Sequence, residues 1–226
     1  MSTRDRISRI YDLLEDAFGP QHWWPGETAF EVMVGAVLTQ NTNWTNVEKA
    51  IANLKRRDLL SPRALHELPR EELAELIRPA GYFNVKAKRL ANLVDFVIDR
   101  ADGDLDRLFA RDLHDLRDDL LSVSGIGRET CDSIVLYAAG KPTFVVDTYT
   151  ARVLLRHDLI DESADYDEIK ETFESNLPAD APLFNEFHAL LVRVGKVYCR
   201  KRPRCETCPL RVTFEGGRPP DWDAER

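Results

Sequence analysis

Apolar residues recur at helical spacing along nearly the whole chain, and few stretches show the strict alternation of a half-buried strand. The pattern predicts an all-α protein with helices at about 4–18, 28–39, 43–56, 63–67, 71–78, 84–99, 104–109, 113–122, 127–139, 147–156, 166–177 and 182–198. Residues 30–38, FEVMVGAVL, are apolar almost all round, which predicts a central helix buried on every side rather than a surface helix. Proline and glycine place breaks at 20–26, 62, 79–81, 125–127, 140–142, 178–182 and 216–220. The final stretch, GGRPPDWDAER, reads as a loosely ordered end, and neither an internal repeat nor a low-complexity tract is present.

Composition changes this picture little. With 226 residues, 43% of them apolar, the chain can build one large domain or two closely packed lobes. The first residues, MSTRDRISRIYDLLEDAF, mix both charge signs without an apolar core, so they do not read as a secretory signal. No run of about 18 apolar residues suggests a membrane span, and a cytoplasmic protein is expected.

Charge and cysteines point to chemistry. A net charge of −8 is awkward for a nucleic-acid binder, because phosphate contacts need Lys and Arg. The charge is uneven, however: Arg193, Lys196, Arg200, Lys201, Arg202 and Arg204 crowd one segment, while acids dominate 101–119 and 161–174. That basic run is either a solvated face or a phosphate-binding one. Of the four cysteines, Cys199, Cys205 and Cys208 fall within ten residues in the order C-x5-C-x2-C, which in a cytoplasmic chain is seldom a disulfide framework. Cys131 lies far upstream inside a predicted helix and reads as a buried apolar thiol.

The segment LLSVSGIGRETCDSIVLYAAG joins two helices across Gly125-Ile126-Gly127, a turn short enough only for a tight αα hairpin. Glycine permits a left-handed turn and lets backbone approach a phosphate, to which the second helix would offer its free N–H groups. Ile126 is expected to pin the turn to the core. Twenty residues further on, in FVVDTYTARVLL, Asp147 opens a helix after an apolar run. This order resembles the helix-hairpin-helix DNA glycosylases, the HhH-GPD superfamily that includes endonuclease III, over about residues 28–208.

The resemblance implies two all-α lobes: a helical barrel at 29–139, and a second lobe of 1–28 plus 140–226 carrying Asp147 and the cysteine loop. DNA and an extruded base are then expected between them, and the enzyme is expected to act as a monomer on damaged double-stranded DNA, on the nucleoid when bound. Asp147 would be the catalytic carboxylate, stabilising an oxocarbenium-like sugar or orienting water, a task related to glycoside hydrolysis. As a helix N-cap it has a structural role too, and a carboxylate there is favoured as the anion. Gly125, Ile126, Gly127 and Arg128 would grip DNA, Gln40 and Tyr82 would probe the gap left by the base, and Arg202 and Arg204 would lie on phosphate. Gln40 has the alternative of capping the central helix.

Members most like endonuclease III carry a Lys two residues beyond the second hairpin glycine, where its amine forms a Schiff base. Here that position is Glu129, which forms no imine, so a hydrolytic enzyme without strong lyase activity is expected; Glu129 also suits a helix first turn. The order Trp23-Trp24-Pro25, then GAVLTQNTNW with Trp44, resembles the lesion pocket of the 3-methyladenine glycosylase branch, as does Lys196 after Gly195. Aromatic faces would attract a cationic alkylated purine. The competing reading makes the tryptophans core or lobe-interface residues and Lys196 a surface lysine. In the family, four thiolates hold a [4Fe–4S] cluster; Cys199, Cys205 and Cys208 match three of them, and Phe214 stands where the fourth would. An iron–sulfur cluster completed by another ligand, a three-iron species, zinc or a loop held by packing all remain open, the first being favoured. Two further functions stay in view: a glycosylase/lyase for oxidised or deaminated pyrimidines using another amine such as Lys196, and a non-catalytic binder of damaged DNA.

Overall fold

The structure is a computed structural model and describes residues 1–214; the break at 216–220 and the final stretch lie outside the described residues. In chain order the helices are α1 (Thr3–Phe18), α2 (Ala29–Leu38), α3 (Trp44–Lys55), α4 (Pro62–Glu67), α5 (Arg70–Leu76), α6 (Phe83–Ala101), α7 (Leu105–Phe109), α8 (Leu113–Ser122), α9 (Arg128–Ser133), α10 (Thr148–Arg156), α11 (Tyr166–Glu174) and α12 (Ala181–Val197). No strand occurs among the described residues, as the helical spacing predicts. None of their helices is long and apolar enough to cross a membrane.

The boundaries follow local chemistry. Ser2, Thr28, Asn43, Ser61, Asp104, Asp112, Asp147, Asp165 and Asp180 each accept a backbone N–H of the helix they precede, a cap typically worth about 1 kcal/mol. The helix expected to reach 78 stops at Leu76, and a 3-10 turn, Arg78–Ala80, follows. Pro79 has no N–H to give and disfavours the helical conformation at the residue before it. The second hairpin helix, expected to run evenly over 127–139, instead widens after Ser133 into a π-type turn, Ile134–Ala138, where the Ala139 N–H reaches the Ile134 carbonyl at 3.0 Å.

The chain forms two compact units, one of Trp24–Lys141 and the other of Met1–Trp23 with Pro142–Arg226. In the first, every residue from Phe30 to Leu38 on α2 is buried, and α2 is the core element that its all-apolar sequence predicts. Glu31 lies among them and is held by Lys55 at 3.0 Å. In the second unit the core is aromatic. Phe144 and Phe173 stack at 3.7 Å between centroids, and Phe184 and Phe187 meet Phe144 edge-on at 5.5 and 6.1 Å.

One buried charge carries the first unit's least expected contacts. Lys86 on α6 is 1% exposed, and its ammonium donates to the carbonyls of Leu38 and Ala80, each at 2.8 Å. It thereby ties the end of α2, just before Gln40, to the turn just before Tyr82. Burial, with the Arg89 charge adding to it, pushes Lys86 down to about 8. Between that value and the ordinary 10.5 the unfolded chain holds a proton that the folded one has released, so stability rises with pH through this window. The wild type is expected to gain about 3 kcal/mol on Lys86→Met between pH 8 and 10.5. Denaturant unfolding of both proteins side by side checks this, and parallel pH profiles would refute it.

Candidate active site and nucleic-acid interface

In the first unit, α8 and α9 form the expected hairpin. Gly125 has φ +98°, and a Cβ there would stand 2.4 Å from Arg89 Cγ, so only glycine fits. Gly127 differs from expectation: its φ is −92°, and an added Cβ would meet nothing within 4 Å. The backbone there does not require glycine, and the position is open to the surface. Ile126 is 5% exposed and pins the turn to the core. Arg117 on α8 clasps the fully buried Asp132 on α9 through two hydrogen bonds of 2.7 and 3.2 Å, a bidentate pair that fixes the two helices together.

Gln40 does not cap α2, whose last turn is closed by Thr39. Its amide donates to Thr130 Oγ1 at 2.8 Å and to the Gly125 carbonyl at 3.3 Å, while Arg89 donates to its oxygen. Asn92 holds the Ser124 carbonyl at 2.8 Å. Gln40 and the hairpin therefore form one hydrogen-bonded assembly, with Arg128 and Glu129 exposed on its outer face. Tyr82 is 74% exposed with φ +45°, a bulky residue held in a left-handed conformation on the surface. Trp24 and Trp44 meet edge-on at 5.2 Å, and Tyr137 lies 5.1 Å from Trp24. Both indoles pack over Gly35 and are half-buried, Trp44 resting against the hydrophobic core, and exposed Pro25 follows Trp24 in the chain.

In the second unit, Asp147 Oδ1 accepts the Thr150 N–H at 2.7 Å, so the capping role is real. Its other oxygen is 4.0 Å from His188 Nε2. His188 Nδ1 lies 2.9 Å from the Val145 carbonyl, which can only accept; that nitrogen therefore carries a proton and donates. Trp23 stands 6.5 Å from the His188 ring, and exposed Lys196 places its ammonium 5.8 Å from the Trp23 ring and 6.0 Å from that of Tyr149. The fold thus gathers Asp147, Trp23 and Lys196 around two residues the sequence did not single out, His188 and Tyr149. A histidine seven residues before Gly195 carries no local signal of that role.

Beyond α12, Cys199, Cys205 and Cys208 line one cavity together with Arg156, His157 and Phe214. Burial pushes the Cys208 thiol up to about 11, with Cys199 and Cys205 nearby adding to the shift. Arg156 is buried; it reaches Cys199 Sγ at 3.3 Å and donates to the carbonyls of Arg200 and Lys201 at 2.6 and 3.1 Å. Arg200, Lys201, Arg202 and Arg204 are exposed above it, as a basic contact surface requires. Among the described residues, no three His, Cys, Asp or Glu side chains converge on the space of a single metal ion. Cys131 is fully buried on α9, apart from this loop, as an apolar thiol would be.

A strapped hairpin followed by a helix-capping aspartate defines a class. Residues 34–179 match the HhH-GPD superfamily of base excision DNA repair proteins, and the chain belongs to that family. It is a DNA glycosylase of the endonuclease III-like group. An inferred DNA repair glycosylase of Methanocaldococcus jannaschii is 49% identical over 92% of this chain and 94% of its own. Among solved structures, the H. pylori 3-methyladenine DNA glycosylase MagIII, bound to 1,N6-ethenoadenine, is 29% identical with TM-score 0.72, covering 87% of this chain and 98% of that one. Endonuclease III in a trapped covalent intermediate with DNA is 26% identical with TM-score 0.81, covering 96% and 98%.

Proposed function

We propose that this glycosylase flips an alkylated purine such as 3-methyladenine out of DNA and hydrolyses its N-glycosidic bond without nicking the strand. The observation that carries this reading is Glu129, exposed in the first turn of α9 where the lyases of the family need an amine. A carboxylate forms no imine, which leaves water as the nucleophile. Asp147 would hold negative charge beside the sugar as the bond breaks, and His188 would steady its second oxygen. A purine alkylated at N3, as in 3-methyladenine, is cationic within the nucleotide and already a good leaving group, so the site needs little acid catalysis for it. The faces of Trp24, Trp44 and Tyr137 suit such a base through stacking and cation–π attraction. The relative bound to 1,N6-ethenoadenine, itself a modified purine, supports that substrate class.

In this reading Gly125, Ile126, Gly127 and Arg128 hold phosphate, Gln40 and Tyr82 fill the gap, and Arg202 and Arg204 extend the phosphate contacts. Cys199, Cys205 and Cys208 supply three thiolates to an iron–sulfur cluster, which when bound holds the basic loop in place. A second reading, a glycosylase/lyase acting on pyrimidines, is favoured by one observation: the Lys196 amine stands 6.0 Å from Tyr149, two residues beyond Asp147. A panel of lesion-bearing duplexes separates the two. Alkylated purines are expected to be released before alkali treatment, with no protein–DNA adduct on borohydride reduction. An adduct, or release of pyrimidine lesions alone, defeats the proposal.

A further inference from the structure

The cysteine loop raises a question of ligand count, because a cubane cluster has four irons to ligate and the loop offers three cysteines. We propose that His157 is the fourth ligand, binding through Nε2; this rests on reading the three-cysteine cavity as an iron–sulfur site. His157 lines that same cavity and is 8% exposed. It sits at the C-terminal end of α10, the helix whose N-terminal end is capped by Asp147.

Its protonation pattern can be worked out from its neighbours. The Thr213 hydroxyl has one proton, and it is aimed at the Leu210 carbonyl at 2.8 Å. The contact of 2.8 Å between Thr213 Oγ1 and His157 Nδ1 must then run the other way, with Nδ1–H donating and the hydroxyl oxygen accepting. That leaves Nε2 with its lone pair, and among the described residues Nε2 has no hydrogen-bond partner. A ring with one nitrogen tied down and the other bare is the arrangement in which histidine binds metals, the outer hydrogen bond setting tautomer and direction.

Phe214 then has a role of its own. Its ring stacks on His157 at 4.4 Å between centroids and 19° between planes, clamping the imidazole in place. The chain thus exchanges a thiolate at 214 for an imidazole at 157 steadied by the residue that replaced the thiolate. The four donors, Cys199, Cys205, Cys208 and His157, line one cavity. Arg156 donates to Cys199 Sγ at 3.3 Å, so a buried cation already stands beside one of the sulfurs.

The test uses the full chain prepared without oxygen, with iron and sulfide assayed and histidine labelled with nitrogen-15. Pulsed electron paramagnetic resonance on the reduced protein is expected to show a directly bonded histidine nitrogen. His157→Cys is expected to keep the absorption band at about 400 nm, lose the nitrogen coupling and shift the reduction potential downward, because imidazole in place of thiolate raises it. A cluster without nitrogen coupling, or coupling unchanged in His157→Cys, overturns the His157 assignment and leaves the cluster intact. Folded protein that takes up no iron and sulfide overturns the cluster reading and the assignment with it.

Discussion

Asp147→Asn is expected to reduce base release about 10³-fold or more while leaving the protein folded. The two expectations separate because the side chain does two things. As a cap it accepts the Thr150 N–H at 2.7 Å, and asparagine caps helices as well as aspartate does. As a charge it would, in the proposed function, stand beside the sugar, and a neutral amide offers an oxocarbenium-like centre no comparable stabilisation. A loss of three decades corresponds to about 4 kcal/mol of transition-state stabilisation, far more than a cap contributes. Single-turnover release measured beside thermal unfolding checks both halves. Equal release by the two proteins, or none by either, would favour a chain that only holds damaged duplex.

The second large effect is on stability. Gly195 on α12 faces Tyr149 on α10 so closely that an added Cβ would stand 2.5 Å from Tyr149 Cδ1 and 2.7 Å from its Cβ. A ring can swing aside, but a Cβ moves only with its backbone, so Gly195→Ala must push α10 away from α12. A cost of about 3 kcal/mol follows, lowering Tm by roughly 6–12 °C. Tyr149 lies two residues after Asp147, so base release should fall as well. Calorimetry on the variant decides the point: a Tm within about 1 °C of wild type would mean that the helices do not approach as closely as described.

Much of the fold was legible because helix formation is governed by neighbours three and four residues apart. The break at Pro62, the helix opened by Asp147 and the wholly apolar stretch 30–38 all reflect interactions within one or two turns. The hairpin was legible for the same reason, since Gly125, buried Ile126 and the flanking helices form one local motif. Where local rules misled, a neighbour had intervened. The turn at Arg78–Ala80 follows from Pro79, while Gly127 proved to be an open surface position rather than a left-handed one.

The long-range contacts that escaped the sequence reading share one property. Lys86 reaches Leu38 across 48 residues, Arg152 holds the Cys199 carbonyl across 47, and His188 meets Val145 across 43. Nothing near them in the chain favours or forbids these partners; each bond exists only once packing has brought distant helices together and excluded water. The amino-acid order by itself determined where helices start and stop, which of them is wholly buried, and that a glycine hairpin precedes a capping aspartate. Only the tertiary structure decided that Gly195 must yield to Tyr149, that Arg117 must clasp the buried Asp132, and which nitrogen of His157 is bare. Those outcomes depend on desolvation and steric contact between distant segments, which no local pattern encodes.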